Sequence, residues 1–207
     1  MKIGIINYGM GNIFSIKQTV ESLEYEAFIA NYPNDLDKAD KIILPGVGSF
    51  SKAMENLEQG GWTVKLNKLV KGANKIPLLG ICLGMHLLAG SSNEVSYTRG
   101  LSFIKGDVVK LNQLGCKLRL PHVGWNNVKI KKNQLFNNIA QNSDFYFVHS
   151  FAFKNIDKEL IFGTTDYDVE IIAIIKNQNI FGTQFHPEKS SLPGRQFLRN
   201  FLKITQC

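Results

Sequence analysis

The residues best equipped for chemistry are Cys82, held in Gly80-Ile81-Cys82-Leu83-Gly84, and the later segment Phe185-His186-Pro187-Glu188. The apolar run Ile76-Pro77-Leu78-Leu79 leads directly into the cysteine. Strand, sharp turn, helix is the local order that lifts a nucleophile onto an elbow. Glycines on either side permit the strained turn and the close approach of its neighbours. A helix starting at the sulfur favours negative charge on it. His186 ends an apolar stretch, precedes a proline and has a carboxylate two residues on. On an extended segment residues i and i+2 share a side, which would set Glu188 behind the imidazole. A thiol, a base and a group to orient the base are the parts required for covalent acyl transfer.

Attack of a thiolate on an acyl carbon creates an oxyanion that needs aimed N–H donors. One is the amide of Leu83, next after the sulfur. A second is expected from Gly46-Val47-Gly48, a glycine-flanked turn after the apolar run Lys41-Ile42-Ile43-Leu44. Of the remaining histidines, His86, His122 and His149, none has the proline and carboxylate that mark out His186, and the ordinary reading of each is a satisfied core or surface residue. Cys82, Cys116 and Cys207 have no metal-ligand spacing and form no even disulfide framework. Cys116 reads as a small buried hydrophobe and Cys207 as a frayed terminus. Neither a metal nor a cofactor is called for.

The elements that must position these groups alternate over the first half. Strands are expected at Lys2–Tyr8, Phe28–Ala30, Lys41–Leu44 and Leu78–Cys82. Helices are expected with Ile13, Ile16, Val20 and Leu23 on one face, near Ser51–Leu57, over Thr63–Leu69 and from Gly84 to Leu88. This order predicts an α/β fold, a mostly parallel sheet with helices on both faces. The second half reads as strands: Val108–Leu111, Asn127–Ile130, Phe145–Phe151, Leu160–Thr165, Ile171–Lys176 and Ile180–Phe185. Asn177-Gln178-Asn179 supplies a hairpin turn between the last two. Pro193–Ile204 closes the chain as an amphipathic helix with Phe197, Leu198, Phe201 and Leu202 on its buried side.

A length of 207 residues suits one domain, with 44% hydrophobic and 20% charged residues and no biased tract. No apolar run approaches the ~18 residues of a membrane span. The start, Met1-Lys2-Ile3-Gly4-Ile5, reads as an immediate strand with no signal-peptide pattern, so a cytoplasmic setting away from membranes is expected. The net charge of +7 is spread over the chain, with a short cluster at Lys129, Lys131 and Lys132. No nucleic-acid motif accompanies it. A solvated basic surface, or one facing an acidic protein, is the expectation.

Gly80-Ile81-Cys82-Leu83-Gly84-Met85 and Gln184-Phe185-His186-Pro187-Glu188-Lys189-Ser190 resemble the class I (triad) glutamine amidotransferases. Asn7-Tyr8-Gly9-Met10-Gly11-Asn12, Leu44-Pro45-Gly46-Val47-Gly48, Pro121-His122-Val123-Gly124-Trp125-Asn126 and Tyr146-Phe147-Val148-His149-Ser150 narrow the resemblance to the HisH glutaminase subunits of imidazole glycerol phosphate synthase. The likeness spans nearly the whole chain and implies a flavodoxin-like amidotransferase fold in one domain, residues 1–207. It implies hydrolysis of the glutamine side-chain amide by Cys82, His186 and Glu188, with Val47, Gly48 and Leu83 at the oxyanion. Gly46, Gly48, His86, Glu94, Ser150 and Phe151 would hold glutamine. Asn12, Trp125, Tyr146 and Lys189 would face a (β/α)8-barrel cyclase of the HisF type, which receives ammonia for imidazole glycerol phosphate and AICAR formation in a heterodimer. Two positions depart from the pattern. His86 stands where the family commonly has a substrate-binding glutamine, and a neutral imidazole, shorter and with one donor and one acceptor, replaces only part of that binding. Gly90 stands where an acidic residue is often found.

Two other readings fit the same residues. One is a paralogous glutaminase that feeds another synthase, such as one aminating nucleotide-sugar precursors of surface polysaccharide. The other is a non-catalytic regulatory subunit with a vestigial thiol, which His86 favours and the complete triad opposes.

Overall fold

Strands buried on both faces read as unbroken apolar runs, and in β1 (Lys2–Ile6) the side chains of Ile3, Ile5 and Ile6 have no exposed surface. The computed structural model describes residues 1–73 and 75–204. After β1 the chain alternates through α1 (Ile13–Glu21), β2 (Glu26–Ala30), β3 (Lys41–Leu44), α2 (Phe50–Gln59), α3 (Trp62–Leu66), β4 (Leu78–Ile81) and the single-turn α4 (Leu83–His86). Strands then dominate. They are β5 (Ser91–Ser92), β6 (Thr98–Arg99), β7 (Asp107–Lys110), β8 (His122–Asn127), β9 (Lys129–Ile130), β10 (Asp144–His149), β11 (Phe151–Lys154), β12 (Ile161–Asp166), β13 (Glu170–Asn177) and β14 (Ile180–Thr183), before α5 (Ser191–Lys203).

The central sheet has eight strands in the order β2-β1-β3-β4-β14-β13-β12-β9. The strands from β2 to β14 run parallel, and β13, β12 and β9 are added antiparallel. Ile16 and Val20 of α1 and Phe197, Leu198 and Phe201 of α5 pack on one face of the sheet. Phe50, Met54 and Leu57 of α2, with Leu66 of α3 and Met85 of α4, pack on the other. The parallel order 2-1-3-4 is that of flavodoxin-like sheets, which bind ligands beyond the carboxyl ends of their strands. At that edge β1, β3 and β4 deliver Tyr8, the turn Pro45–Gly48 and Cys82.

Two expected strands each prove to be two. Asn127–Ile130 is shared between β8, which pairs with β10 in a separate two-stranded ribbon, and β9 of the central sheet. Phe145–Phe151 breaks at Ser150 into β10 and β11, and β11 joins a four-stranded sheet in the order β11-β7-β5-β6. The break arises because Ser150 gives its carbonyl to Leu111 N–H at 2.9 Å, which turns the backbone towards β7. Further boundaries move, and β1 ends at Ile6 rather than Tyr8. The ladder of β14 ends at Thr183 rather than Phe185, and α4 stops at His86 because Leu88 and Ala89 close i→i+3 bonds to Met85 and His86. The helix expected to Leu69 is α3 followed by a π-type turn over Asn67–Lys71. Asn177 pairs with Ile180, so the hairpin turn is the two residues Gln178 and Asn179. Cys207 lies outside the described residues. Among those residues no helix is long and apolar enough to cross a membrane.

Candidate active site

Cys82 adopts φ +52° and ψ −110°, a left-handed conformation that a non-glycine residue takes only when its surroundings impose it. The surroundings are β4 below and α4 above. A Cβ on Gly84 would lie 1.9 Å from Leu44 O, and one on Gly80 would lie 2.5 Å from Gly84 O. The two glycines therefore let α4 sit directly on the backbone of β3 and β4, and the sulfur is lifted off the sheet edge between them. As the first residue of α4, Leu83 has an N–H with no partner within its own helix.

His186 lies in the turn after β14. Its Nδ1 pairs with Glu188 Oε1 at 2.8 Å, and the side chains are 2% and 0% exposed. The expected route to this contact is wrong, although the contact forms. Pro187–Lys189 is a 3-10 turn and not an extended segment, so the carboxylate folds back under the ring. Glu188 Oε2 and His186 Nε2 are buried without a hydrogen-bond partner. The imidazole is thus held at one nitrogen and free at the other, on the side of Cys82. Burial opposes a charge on the ring, but the Cys82 sulfur and the Glu188 carboxylate outweigh it and raise the His186 pKa to about 10. In this arrangement the thiol rests against Val148 O at 3.8 Å, and Gln184 Nε2 lies 3.9 Å from the sulfur.

A cavity of about 190 Å³ opens beside the sulfur. Its walls are Val47 and Gly48 of the glycine turn, Cys82, Leu83 and His86 of the elbow, Glu94, and Val148 to Phe151. Gly48 has φ +103°, and a Cβ there would sit 2.8 Å from Met10 Cε. Gly46 does not line the cavity. It packs under α4, where a Cβ would be 2.6 Å from Gly84 N. The Tyr8 hydroxyl donates to Pro45 O at 2.9 Å and braces the turn. Burial, with the nearby Cys82, raises the Tyr8 pKa well above the usual phenol range. Glu94 receives the Phe50 N–H at 2.6 Å through one carboxylate oxygen.

The ribbon of β8 and β10 ties the cavity to an exposed face. Tyr146 O accepts from His186 N–H at 2.9 Å, and Ser190 Oγ accepts from Tyr146 N–H at 2.9 Å. On the outer side Trp125 is 52% exposed and meets Tyr146 edge-on at 6.1 Å, with Lys189 Nζ 5.7 Å from the Tyr146 ring. Asn12 is half-buried at the start of α1, its Oδ1 accepting from Ser15 Oγ at 2.9 Å.

Residue types alone left three side chains without a place here. His149 lines the cavity, donates from Nδ1 to Phe151 O at 2.8 Å and accepts at Nε2 from His122 Nδ1 at 2.9 Å. Burial lowers the pKa of both rings, to about 3 for His149 and about 4 for His122, so both are neutral. The pattern Phe145, Phe147, His149 on the buried side of β10 was the available signal. Gln184 is fully buried behind Cys82 and accepts from His86 Nε2 at 2.7 Å. For Gln184 the sequence pattern held no such signal.

The family model for glutamine amidotransferase class-I matches residues 4–205. Imidazole glycerol phosphate synthase subunit HisH 2 of Methanococcus maripaludis is 48% identical over 97% of this chain and 98% of its own. Subunit HisH of Methanocaldococcus jannaschii is 45% identical over 98% and 99%, and subunit HisH 1 of Campylobacter jejuni is 43% identical over 98% and 100%. Among solved structures, PurLQS from Thermotoga maritima superposes with a TM-score of 0.75 at 19% identity, covering 97% of each chain.

Proposed function

The chain belongs to the class-I glutamine amidotransferase family, and we propose that it is the glutaminase subunit of an imidazole glycerol phosphate synthase. It acts as one amidotransferase domain over residues 1–207, in the cytoplasm, in a heterodimer with a (β/α)8-barrel cyclase. The observation that carries the catalytic assignment is the His186 ring, fixed by Glu188 at Nδ1 and unpartnered at Nε2 on the side of the Cys82 sulfur.

The Cys82 thiol gives its proton to His186 Nε2 and its sulfur adds to the glutamine carboxamide carbon, while the carbonyl electron pair moves onto oxygen. Leu83 N–H and the peptide of Val47–Gly48 receive that charge. His186 Nε2 delivers its proton to the amide nitrogen, the C–N bond breaks, and ammonia leaves a thioester on Cys82. The same nitrogen then takes a proton from water as the water attacks the thioester carbon, the C–S bond breaks with its electron pair on sulfur, and glutamate departs. Glu188 keeps the proton on Nδ1 throughout and stabilises the imidazolium. Glu94, Ser150 and Phe151 surround the bound amino acid, His86 forms part of the cavity wall beside the sulfur, and Gly46 serves the packing of the turn. Trp125, Tyr146, Lys189 and Asn12 form the side towards the cyclase, which takes the ammonia unprotonated.

Glutamate release is measured with the cyclase and its ligand present, for wild type and Cys82→Ser. Turnover confined to wild type supports the reading, and no wild-type turnover favours a regulatory subunit. A second reading rests on the relatives in M. maripaludis, which are numbered HisH 1 and HisH 2 and are 41% and 48% identical to this chain. Two copies in one organism leave one free to serve another synthase. A chain stimulated by a different synthase and not by the histidine-pathway cyclase would establish that role.

A further inference from the structure

We propose that His86 is a positioning residue for the Cys82 sulfur, acting through the side-chain amide of Gln184. The Gln184 amide lies between the two groups, with Oε1 2.7 Å from His86 Nε2 and Nε2 3.9 Å from Cys82 Sγ. Gln184 has no exposed surface, and His86, on the cavity wall, is only 5% exposed, so the contact between them is shielded from water.

The chemistry of the pair follows from which way the amide points. Oε1 can only accept, so the His86 proton sits on Nε2 in this arrangement and an amide N–H is turned to the sulfur. A burial-lowered pKa of about 4 keeps His86 neutral, with a single N–H to give. An amide turned the other way would place oxygen against the sulfur, a contact suited to S–H and repulsive to S⁻. With its proton on Nε2, His86 pairs with the amide in the orientation that turns N–H to the sulfur and stabilises the thiolate. In this account the imidazole does not replace a substrate-binding glutamine at this place. It spends its donor on Gln184 and supports the nucleophile from behind. Geometry distinguishes the possible replacements, because a glutamine at position 86 reaches about as far as histidine Nε2, whereas asparagine reaches only as far as Nδ1.

The test is the rate at which iodoacetamide alkylates Cys82 across pH 5–9, read on the Cys82 peptide by mass spectrometry, together with glutaminase kinetics of the assembled complex. A hydrogen bond to a charged group, taken at its weak end for a long contact to sulfur, corresponds to about a tenfold effect. His86→Asn and Gln184→Leu should slow alkylation at pH 7 by up to about tenfold. Both should lower kcat more than they raise KM, and His86→Gln should restore wild-type behaviour. Unchanged alkylation in folded His86→Asn, with the loss confined to KM, would overturn the proposal and put His86 on the substrate. Failure of His86→Gln to restore alkylation would overturn it as well. The kinetic half rests on the glutaminase reading and the alkylation half does not. An enzyme that alkylates as expected yet never turns over glutamine would refute that reading and leave the relay standing.

Discussion

Gly84→Ala tests whether the close seat of α4 sets the catalytic geometry. The added Cβ would lie 1.9 Å from Leu44 O, against about 3.4 Å for an ordinary contact, so α4 must move by roughly 1.5 Å. That shift carries the Leu83 N–H and the Cys82 sulfur with it. A misplacement of about 1 Å in a positioned group costs on the order of 100-fold in rate, so kcat/KM for glutamine should fall at least about 100-fold. Overpacking costs about 1–3 kcal/mol of stability, and more where backbone must yield. Gly80→Ala meets the same interface from below at 2.5 Å and needs a shift of roughly 0.9 Å, so its loss should be smaller. The assay is glutamate release in the complex, with thermal unfolding followed by circular dichroism and ammonia-dependent cyclase activity as the control. A folded Gly84→Ala protein with wild-type glutaminase activity would refute the reasoning.

Glu188→Gln removes the acceptor that holds the His186 Nδ1 proton and should lower kcat by about 10²–10⁴ with little change in KM; steady-state kinetics showing less than a tenfold loss would deny the orienting role. The buried histidines make stability pH-dependent in a signed way. His86, His122 and His149 have lowered pKa values, so the unfolded chain takes up protons that the fold refuses, and stability is lost as pH falls from about 6.5 towards 4. The raised His186 pKa acts oppositely, contributing below about 6.5 and losing its contribution as pH rises towards about 10. Urea midpoints should peak between these limbs, and His122→Gln should flatten the acid limb; identical acid slopes in both proteins would contradict the assignment. Trp125→Ala should weaken binding of the barrel partner by about 2 kcal/mol, as large exposed aromatics at interface centres do, leaving the fold unchanged. Calorimetric titration showing no loss would place Trp125 outside the interface.

The Gly80–Gly84 elbow and the β-α alternation were legible because they follow from backbone sterics and periodicity, which act on neighbouring residues. β8, which pairs with the expected strand β10, was not. His122–Asn127 carries polar residues and Gly124 at φ +135°, so no alternation marks it as a strand, and no glycine or proline marks Val128 or Ser150, where the chain changes sheets. Glu188 was identified for a reason that the 3-10 turn at Pro187–Lys189 does not support. His149 and Gln184 acquire meaning only from partners far along the chain, His122 and His86, and no local pattern encodes such pairings.

The central claim is that glutamine is opened by covalent transfer of its acyl group to Cys82. The most direct measurement is mass spectrometry of the complex acid-quenched during turnover, with the adduct mapped to a peptide. A γ-glutamyl thioester on Cys82, absent from Cys82→Ser, is the predicted result. Full turnover with no adduct, or an adduct on another residue, would contradict the account.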